Sequence, residues 1–223
     1  MEIKVIGLGG VGSTLVRTLA RYLNFSGGGA RLTLVDGDSY EPKNQARQVF
    51  GDFGNKAAVS ANELAQSFPA LSVRAVKDFV AAENVERIIE QGDVVFLAVD
   101  NHATRKLVSD HCARLGDVTL ISGGNEFTDG NIQVFINREG QWLTPPLTYL
   151  HPEIEFPEDR NPAEGSCQEL AESAPQLIFT NLAVASAMLE AFYALEQGKL
   201  TYSECYLDIL SGAKRPVLRK EVG

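Results

Sequence analysis

The chain has 223 residues, 44% of them hydrophobic, and a formal net charge of −9. This length and apolar fraction suit one large domain with a real core, and the acidity counts against duplex nucleic acid or an anionic membrane as a partner. There is no run of about 18 apolar residues, no basic signal-peptide stretch in "MEIKVIGLGG", and only three scattered cysteines, so the expectation is a cytoplasmic protein with free thiols, no membrane span and no disulfide framework.

In chain order, "IKVI" (3–6) reads as a buried strand, followed by a glycine-rich turn and an amphipathic helix with Leu15, Leu19 and Leu23 spaced by four. "NFSGGGA" is a flexible loop, and "RLTLVD" is a second strand ending at Asp36. A helix starts near Asn55, with Val59 and Leu64 as apolar positions, and "LSVRAVKD" is a third strand. "AENVERIIEQG" reads as a helix closed by Gly92. "DVVFLAVD" is a fourth strand, apolar throughout as in a sheet covered on both faces. A helix over "NHATRKLVSDHCARLG", also ending in glycine, and a fifth strand, "VTLISGG", follow. This alternation predicts an α/β fold, a Rossmann-like, doubly wound and mostly parallel sheet.

The pattern then changes. "GNIQVFIN" and "GQWLTP" read as an antiparallel pair joined near Glu139–Gly140, so the parallel sheet is extended by antiparallel strands toward the C-terminal part. Residues 145–173 are rich in proline and acid with little periodicity, which marks a functional crossover or a mobile lid. "PQLIFTNLAVASAMLEAFYALEQGK" is apolar almost all round and predicts a buried helix. The chain closes in a hairpin turning around Ser211–Gly212. Cys112 and Cys205 read as core thiols, His102 and His111 as surface residues and His151 as a loop residue.

"GLGGVG" holds G-x-G-x-x-G at Gly7, Gly9 and Gly12, with Gly10 between, after a strand and at the start of a helix. In that context the backbone can approach a phosphate and the helix N-terminus offers it free N–H groups. Asp36, at the end of the second strand, can accept from ribose hydroxyls. An adenine nucleotide is therefore expected, either as a dinucleotide for hydride transfer or as ATP. "NQARQVF" bears on the choice. Asn44, Arg47 and Gln48 stand at i, i+3 and i+4 and share a face on one helical turn. That face is either solvated or turned to a triphosphate, with Arg47 neutralising charge and Asn44 and Gln48 donating to phosphate oxygens. Lys56 can add a second cation, and Asp100, at the tip of the fourth strand, is placed to hold Mg²⁺. Asn101 and Arg105 flank it, Arg105 being either a solvated helix residue or a nucleotide ligand.

The stretches "VIGLGGVGS", "LVDGDSYEPKNQARQ", "GNKAAVSA", "AVDNHATR" and "ISGGNEFTDGNIQVF", with the late apolar helix and closing hairpin, resemble the ThiF/MoeB and ubiquitin-activating enzymes. The resemblance spans nearly the whole chain and implies a single adenylation domain over 1–223. Residues 1–125 would be its nucleotide-binding part and 126–223 its antiparallel extension. It implies ATP and Mg²⁺ as cofactors, with Asp36 on ribose, Asp38 nearby, Asn44, Arg47, Gln48 and Lys56 on the phosphates and Asp100 on the metal. The implied reaction is adenylation of the C-terminal glycine of a ubiquitin-like or sulfur-carrier protein. A homodimer is implied too, with a conjugating or sulfur-transfer partner downstream. The pairs of C-x-x-C that bind zinc in many relatives are missing, so no zinc is expected. Many relatives also carry an N-terminal extension that sends an arginine into the partner subunit's site; this sequence begins at its first strand, so that arginine is expected to be missing or to come from elsewhere. Cys167, in "EGSCQELAESAPQ", stands about where some relatives carry a cysteine that joins to the activated carrier. A thiolate there could form a thioester, although Glu164, Glu169 and Glu172 would raise its pKa. The rival readings are an NAD(P)-dependent oxidoreductase, which leaves "NQARQ" and Asp100 without a task, and a catalytically silent scaffold.

Overall fold

The structure is a computed structural model that describes residues 1–27, 29–45, 48, 50–164 and 177–218. Strand β1 (Glu2–Ile6) leads through the glycine loop into α1 (Gly10–Phe25), then β2 (Arg31–Val35). A short excursion follows: β3 (Ser39–Tyr40), a 3₁₀ turn at Pro42–Asn44, and β4 (Gly54–Asn55), which pairs with β3. Next come α2 (Lys56–Ser67), β5 (Ser72–Val76), α3 (Val85–Ile88), β6 (Val94–Leu97), α4 (His102–Arg114) and β7 (Val118–Asn125). The second half comprises β8 (Asp129–Arg138), β9 (Gln141–Trp142), α5 (Leu147–Leu150), α6 (Pro152–Glu155), a 3₁₀ turn at Pro162–Glu164, α7 (Ile178–Glu196), β10 (Glu204–Asp208) and β11 (Ala213–Val217).

The main sheet runs β11-β10-β8-β7-β6-β1-β2-β5, with β9 paired to β8. From β7 to β5 every pair is parallel; from β7 outward to β11 every pair is antiparallel. The expected α/β fold is thus present, including the antiparallel extension. The chain builds outward from β1 to β5 and then returns to the other side of β1 with β6. That reversal opens a crevice at the carboxyl ends of β1 and β6, where ligands of such sheets bind.

Alternation along the strands sends apolar side chains to two covers. Ile3, Val5, Phe96 and Ile121 face α1, α2 and α7. Ile6, Val95, Leu97 and Leu120 face α3, α4, α5 and α6. Helix α1 forms because Leu15, Leu19 and Leu23 stack on one buried stripe. It lies alongside α7, and Tyr22 near its end packs edge-on against Phe192 and Tyr193, its hydroxyl donating to Glu196 Oε2 at 2.7 Å. The β8–β9 turn does fall at Glu139–Gly140, both with positive φ (52° and 78°), which matches a two-residue hairpin turn.

Several sequence expectations need correction. The helix expected to run to Gly92 is a single turn, Val85–Ile88. The Asp93 carboxylate takes the Glu90 N–H at 2.8 Å, and Gly92 N–H donates to Asp117 O at 2.7 Å, so the backbone turns away after Ile88. Helix α4 ends in an extended Leu115 rather than a glycine. His111 is buried rather than on the surface, its Nε2 2.9 Å from Ile89 O. His151 is buried too, between Glu153 Oε1 (3.2 Å) and Glu204 Oε1 (3.0 Å). The late helix is apolar all round, yet Phe179 and Leu182 stand 65% and 56% exposed on its outer face. At 19 residues and mean hydropathy 1.5, α7 is long and apolar enough to cross a membrane, and here its inner face packs on β7, β8 and α1. Cys112 and Cys205 are core thiols, as expected.

Candidate active site

The glycine loop is held by close backbone contacts. Gly7 has φ of +86°, and a Cβ there would lie 2.7 Å from Ala98 O, so only glycine fits between β1 and β6. A Cβ on Gly12 would collide with Gly7 O, so the first turn of α1 sits directly on the loop. Gly9 precedes the helix, Gly10 is its first residue, and no side chain among the described residues caps this end. Its N–H groups are therefore available to an anion.

Asp36 closes the floor on the β2 side. Its Oδ2 accepts from Leu8 N–H at 2.6 Å and its Oδ1 from Asp38 N–H at 2.8 Å. Burial raises its pKa above the usual aspartate value, opposed by the Lys56 charge and these two N–H groups. Asn55 organises the same loop: its Nδ2 donates to Asp36 O (2.8 Å) and Asp38 O (3.1 Å), and its Oδ1 caps α2 at Ala58 N–H (3.0 Å). Lys56, the first residue of α2, is buried with Nζ 2.5 Å from Asp38 Oδ2. The Phe79 ring backs this end of the crevice, so close to Gly37 that a Cβ there would fall 2.6 Å from it.

Asn44 and Gln48 do come together. The Gln48 N–H donates to Asn44 O at 3.0 Å, the bond of one helical turn, and both side chains are buried. Asn44 Oδ1 is occupied by Glu41 N–H (3.0 Å). Gln48 Nε2 faces the glycine loop, 4.0 Å from the place of a Gly9 Cβ, and its Oε1 has no hydrogen-bond partner among the described residues. Arg47, the guanidinium expected between them, lies outside the described residues, as does Cys167.

On the β6 side, Asp100 is exposed beyond the strand end. Asn101 Oδ1 caps α4 at Thr104 N–H (2.8 Å). Arg105 is not solvated. It is 6% exposed and donates to Ser122 Oγ (3.0 Å), Val99 O (2.8 Å) and Gly123 O (2.9 Å). Burial pulls its pKa down to about 10, with Asp100 the largest opposing charge. A Cβ on Gly124 would strike this guanidinium, so that position holds glycine. Arg105 thus ties the Val99–Asp100 turn to β7.

The part of the crossover up to Glu164 is docked rather than loose. The Asp159 carboxylate accepts from His102 N–H (2.7 Å) and Ala103 N–H (2.8 Å) at the start of α4. Asn161 is buried and donates to Val80 O at 2.9 Å. Such anchors carry no periodic signal, so the sequence reading missed them. Asn55, standing at N-cap spacing before a helix, was the one organiser of the site that local sequence rules could have picked out.

Fold and crevice together define a Rossmann-like α/β protein whose strand order reverses at β1–β6. The chain matches the ThiF family over residues 1–207 and belongs to it. Among curated relatives, it is 34% identical over 126 residues to the SAMP-activating enzyme E1 of Haloferax volcanii, covering 55% of this chain and 44% of the relative. It is 31% identical over 138 residues to the sulfur carrier protein adenylyltransferase of Thermus thermophilus, covering 60% and 49%. It is 32% identical over 140 residues to the tRNA threonylcarbamoyladenosine dehydratase of Haemophilus influenzae, covering 60% and 52%. The matches thus span about half the length of these relatives. The crystal structure of E. coli MccB with ATP shares the fold, with TM-score 0.71 at 17% identity over 99% of this chain and 65% of that one.

Proposed function

We propose that the chain is an ATP-dependent adenylyltransferase that activates the C-terminal carboxylate of a ubiquitin-like or sulfur-carrier protein. One observation carries this reading most: the buried Gln48 amide turns its Nε2 donor to the uncapped α1 N-terminus. A buried N–H donor beside free helix N–H groups suits a polyanion lying on the glycine loop. Asp36 would take the ribose, and Lys56 and Gln48 the phosphates, with Arg47 as the expected guanidinium. The family and the named activities of its relatives support adenylation over hydride transfer.

A carboxylate oxygen of the carrier attacks the α-phosphorus of ATP, and the bond to pyrophosphate breaks, giving an acyl adenylate. Charge grows on the α-phosphate and on the departing group, and fixed donors at the loop stabilise it without reorganising. Among the described residues no group of three His, Cys, Asp or Glu side chains could cage a metal. That fits magnesium, which is commonly held by one or two carboxylates plus substrate phosphates, and Asp100 would be its protein ligand. The ion would supply charge neutralisation on the phosphates. Cys167 is the residue to which the acyl group could pass as a thioester, releasing AMP. The exposed Phe179 and Leu182 of α7 support a homodimer, which sedimentation would show.

The test is ATP–pyrophosphate exchange with candidate carriers ending in Gly-Gly. Exchange that depends on the carrier is expected, with at least a hundred-fold loss in Asp100→Ala at unchanged circular dichroism. Wild-type exchange in that folded variant would remove Asp100 from the reaction. A larger thermal shift with NAD than with ATP and magnesium would overturn the class.

A further inference from the structure

One polar side chain on the inner face of α7 has no hydrogen-bond partner among the described residues. Asn181 is 0% exposed, yet neither its Oδ1 nor its Nδ2 has a hydrogen-bond partner among the described residues. Leaving such an amide unpaired costs stability, and a leucine there would not incur that cost.

Its position follows from the helix. Asn181, Ala185, Met188 and Phe192 stand at i, i+4, i+7 and i+11 and form one stripe. At the lower end of the stripe, Phe192 packs on Phe96 of β6 (ring centroids 5.4 Å) and on Tyr22 near the end of α1 (6.2 Å). In the middle, Met188 covers Gly123 of β7 so closely that a Cβ there would strike its sulfur. Three turns back from Phe192, about 16 Å along α7, the stripe reaches the carboxyl end of β7. Thr180 fixes that level, its Oγ1 donating to Phe127 O at 2.7 Å in the turn beyond β7. The helix thus carries the buried amide past Gly123 to the carboxyl end of β7, the ligand edge of the sheet, with Asp36 at the end of β2 on the far side of β1 and β6.

This placement decides what Asn181 would meet. A nucleotide with its ribose at Asp36 runs from β2 toward β6, so the group joining its α-phosphate must approach from β7. We propose that Asn181 is a substrate-binding residue, whose Nδ2 donates to the carboxyl oxygen of the incoming carrier terminus that does not attack phosphorus. The proposal rests on the adenylation reading above and extends it to the acyl half of the site. A neutral amide suits this task, since it can hold the same oxygen as a carboxylate before attack and as an acyl carbonyl afterward.

The experiment compares wild type with Asn181→Leu in titration calorimetry against two probes: ATP with magnesium, and 5′-O-(glycylsulfamoyl)adenosine, an unreactive mimic of a glycyl adenylate. In the variant we expect ATP affinity within two-fold of wild type, affinity for the acyl mimic down at least ten-fold, and a thermal midpoint equal or higher. Asn181→Ala, which leaves a smaller side chain in case leucine does not fit, is expected to divide the two probes in the same way. Equal binding of both probes by variant and wild type would overturn the role of Asn181 and leave the adenylation reading standing. Parallel loss of both probes, or a lowered midpoint with the probe ratio unchanged, would make Asn181 a structural residue and overturn the proposal. Wild type that binds ATP but not the mimic would overturn the adenylation reading itself, and the proposal with it.

Discussion

The two flanks of the crevice are finished to different degrees. On the β2 flank Asp36, Asn55 and Lys56 already have protein partners. Asp36 holds two N–H groups, Asn55 ties two carbonyls and caps a helix, and buried Lys56 is paired with Asp38. On the β6–β7 flank the support is complete but the facing groups are not. Arg105 and Asp159 lock the backbone, while Asp100 stands exposed and Asn181 is buried without a partner among the described residues. A pre-paired flank suits a part of the ligand that is always the same, such as ribose. A flank with open valences suits the part that arrives last and leaves as product.

The sharpest way to break this contrast is to remove the support on the open flank. Arg105→Met deletes a buried cation that serves Val99 O, Gly123 O and Ser122 Oγ. Those acceptors would be left buried without donors, so the expected loss is about 3 kcal/mol or more in urea unfolding. Asp100 would then lose its fixed approach, and kcat should fall further than ATP affinity. A loss under about 1 kcal/mol would mean that Arg105 is dispensable to the strand ends and that the open flank has no such keystone.

The middle effect tests the paired flank. Asn55→Ala removes a helix cap and the tie between Asp36 O and Asp38 O, for an expected cost of about 1–2 kcal/mol. Because this flank would meet the nucleotide, KM for ATP should rise while kcat is held. A fall in kcat with unchanged KM would reverse the assignment of the two flanks.

The two flanks were also unequally legible in the sequence. Local rules reach the β2 flank well: a strand, a glycine turn, an acid at the strand tip and a capped helix are all short-range patterns. The same rules supplied the parallel order and the switch to antiparallel strands. They failed where long-range pairing wins. Arg105 looked like a solvent or ligand residue because helix periodicity does not record that its guanidinium reaches β7, 17 and 18 residues away at Ser122 and Gly123. The helix before β6 was read too long because an aspartate side chain, not a glycine, ends it. His111 was assigned to the surface because polarity was taken for exposure. Asn181 was passed over because one amide in an apolar helix leaves no pattern, and only its burial without a partner among the described residues makes it informative.

The smallest expected effect sharpens the contrast through the segment that covers the open flank. His151, where α5 meets α6, contacts Glu204 on β10 and Glu153 on α6, and Tyr206 donates its hydroxyl to the other Glu204 oxygen at 3.0 Å. The hydrogen bond to Glu204 raises the His151 pKa above its ordinary value, burial opposes this, and Glu153 adds to it. A histidine with a raised folded pKa contributes stability that is fully present below its unfolded pKa of about 6.5. That contribution is lost as pH rises through the folded value. Stability should therefore decline from about pH 6.5 upward, and His151→Gln should flatten the slope. Hydrogen exchange should locate the change in α5, α6 and the Asp159 anchor, with the amides of Leu8 and Asp38 unaffected, because the β2 flank shares no contact with this histidine among the described residues. Equal loosening of both flanks as the pH is raised would show that the crevice responds as one unit rather than as a fixed side and a fitted one.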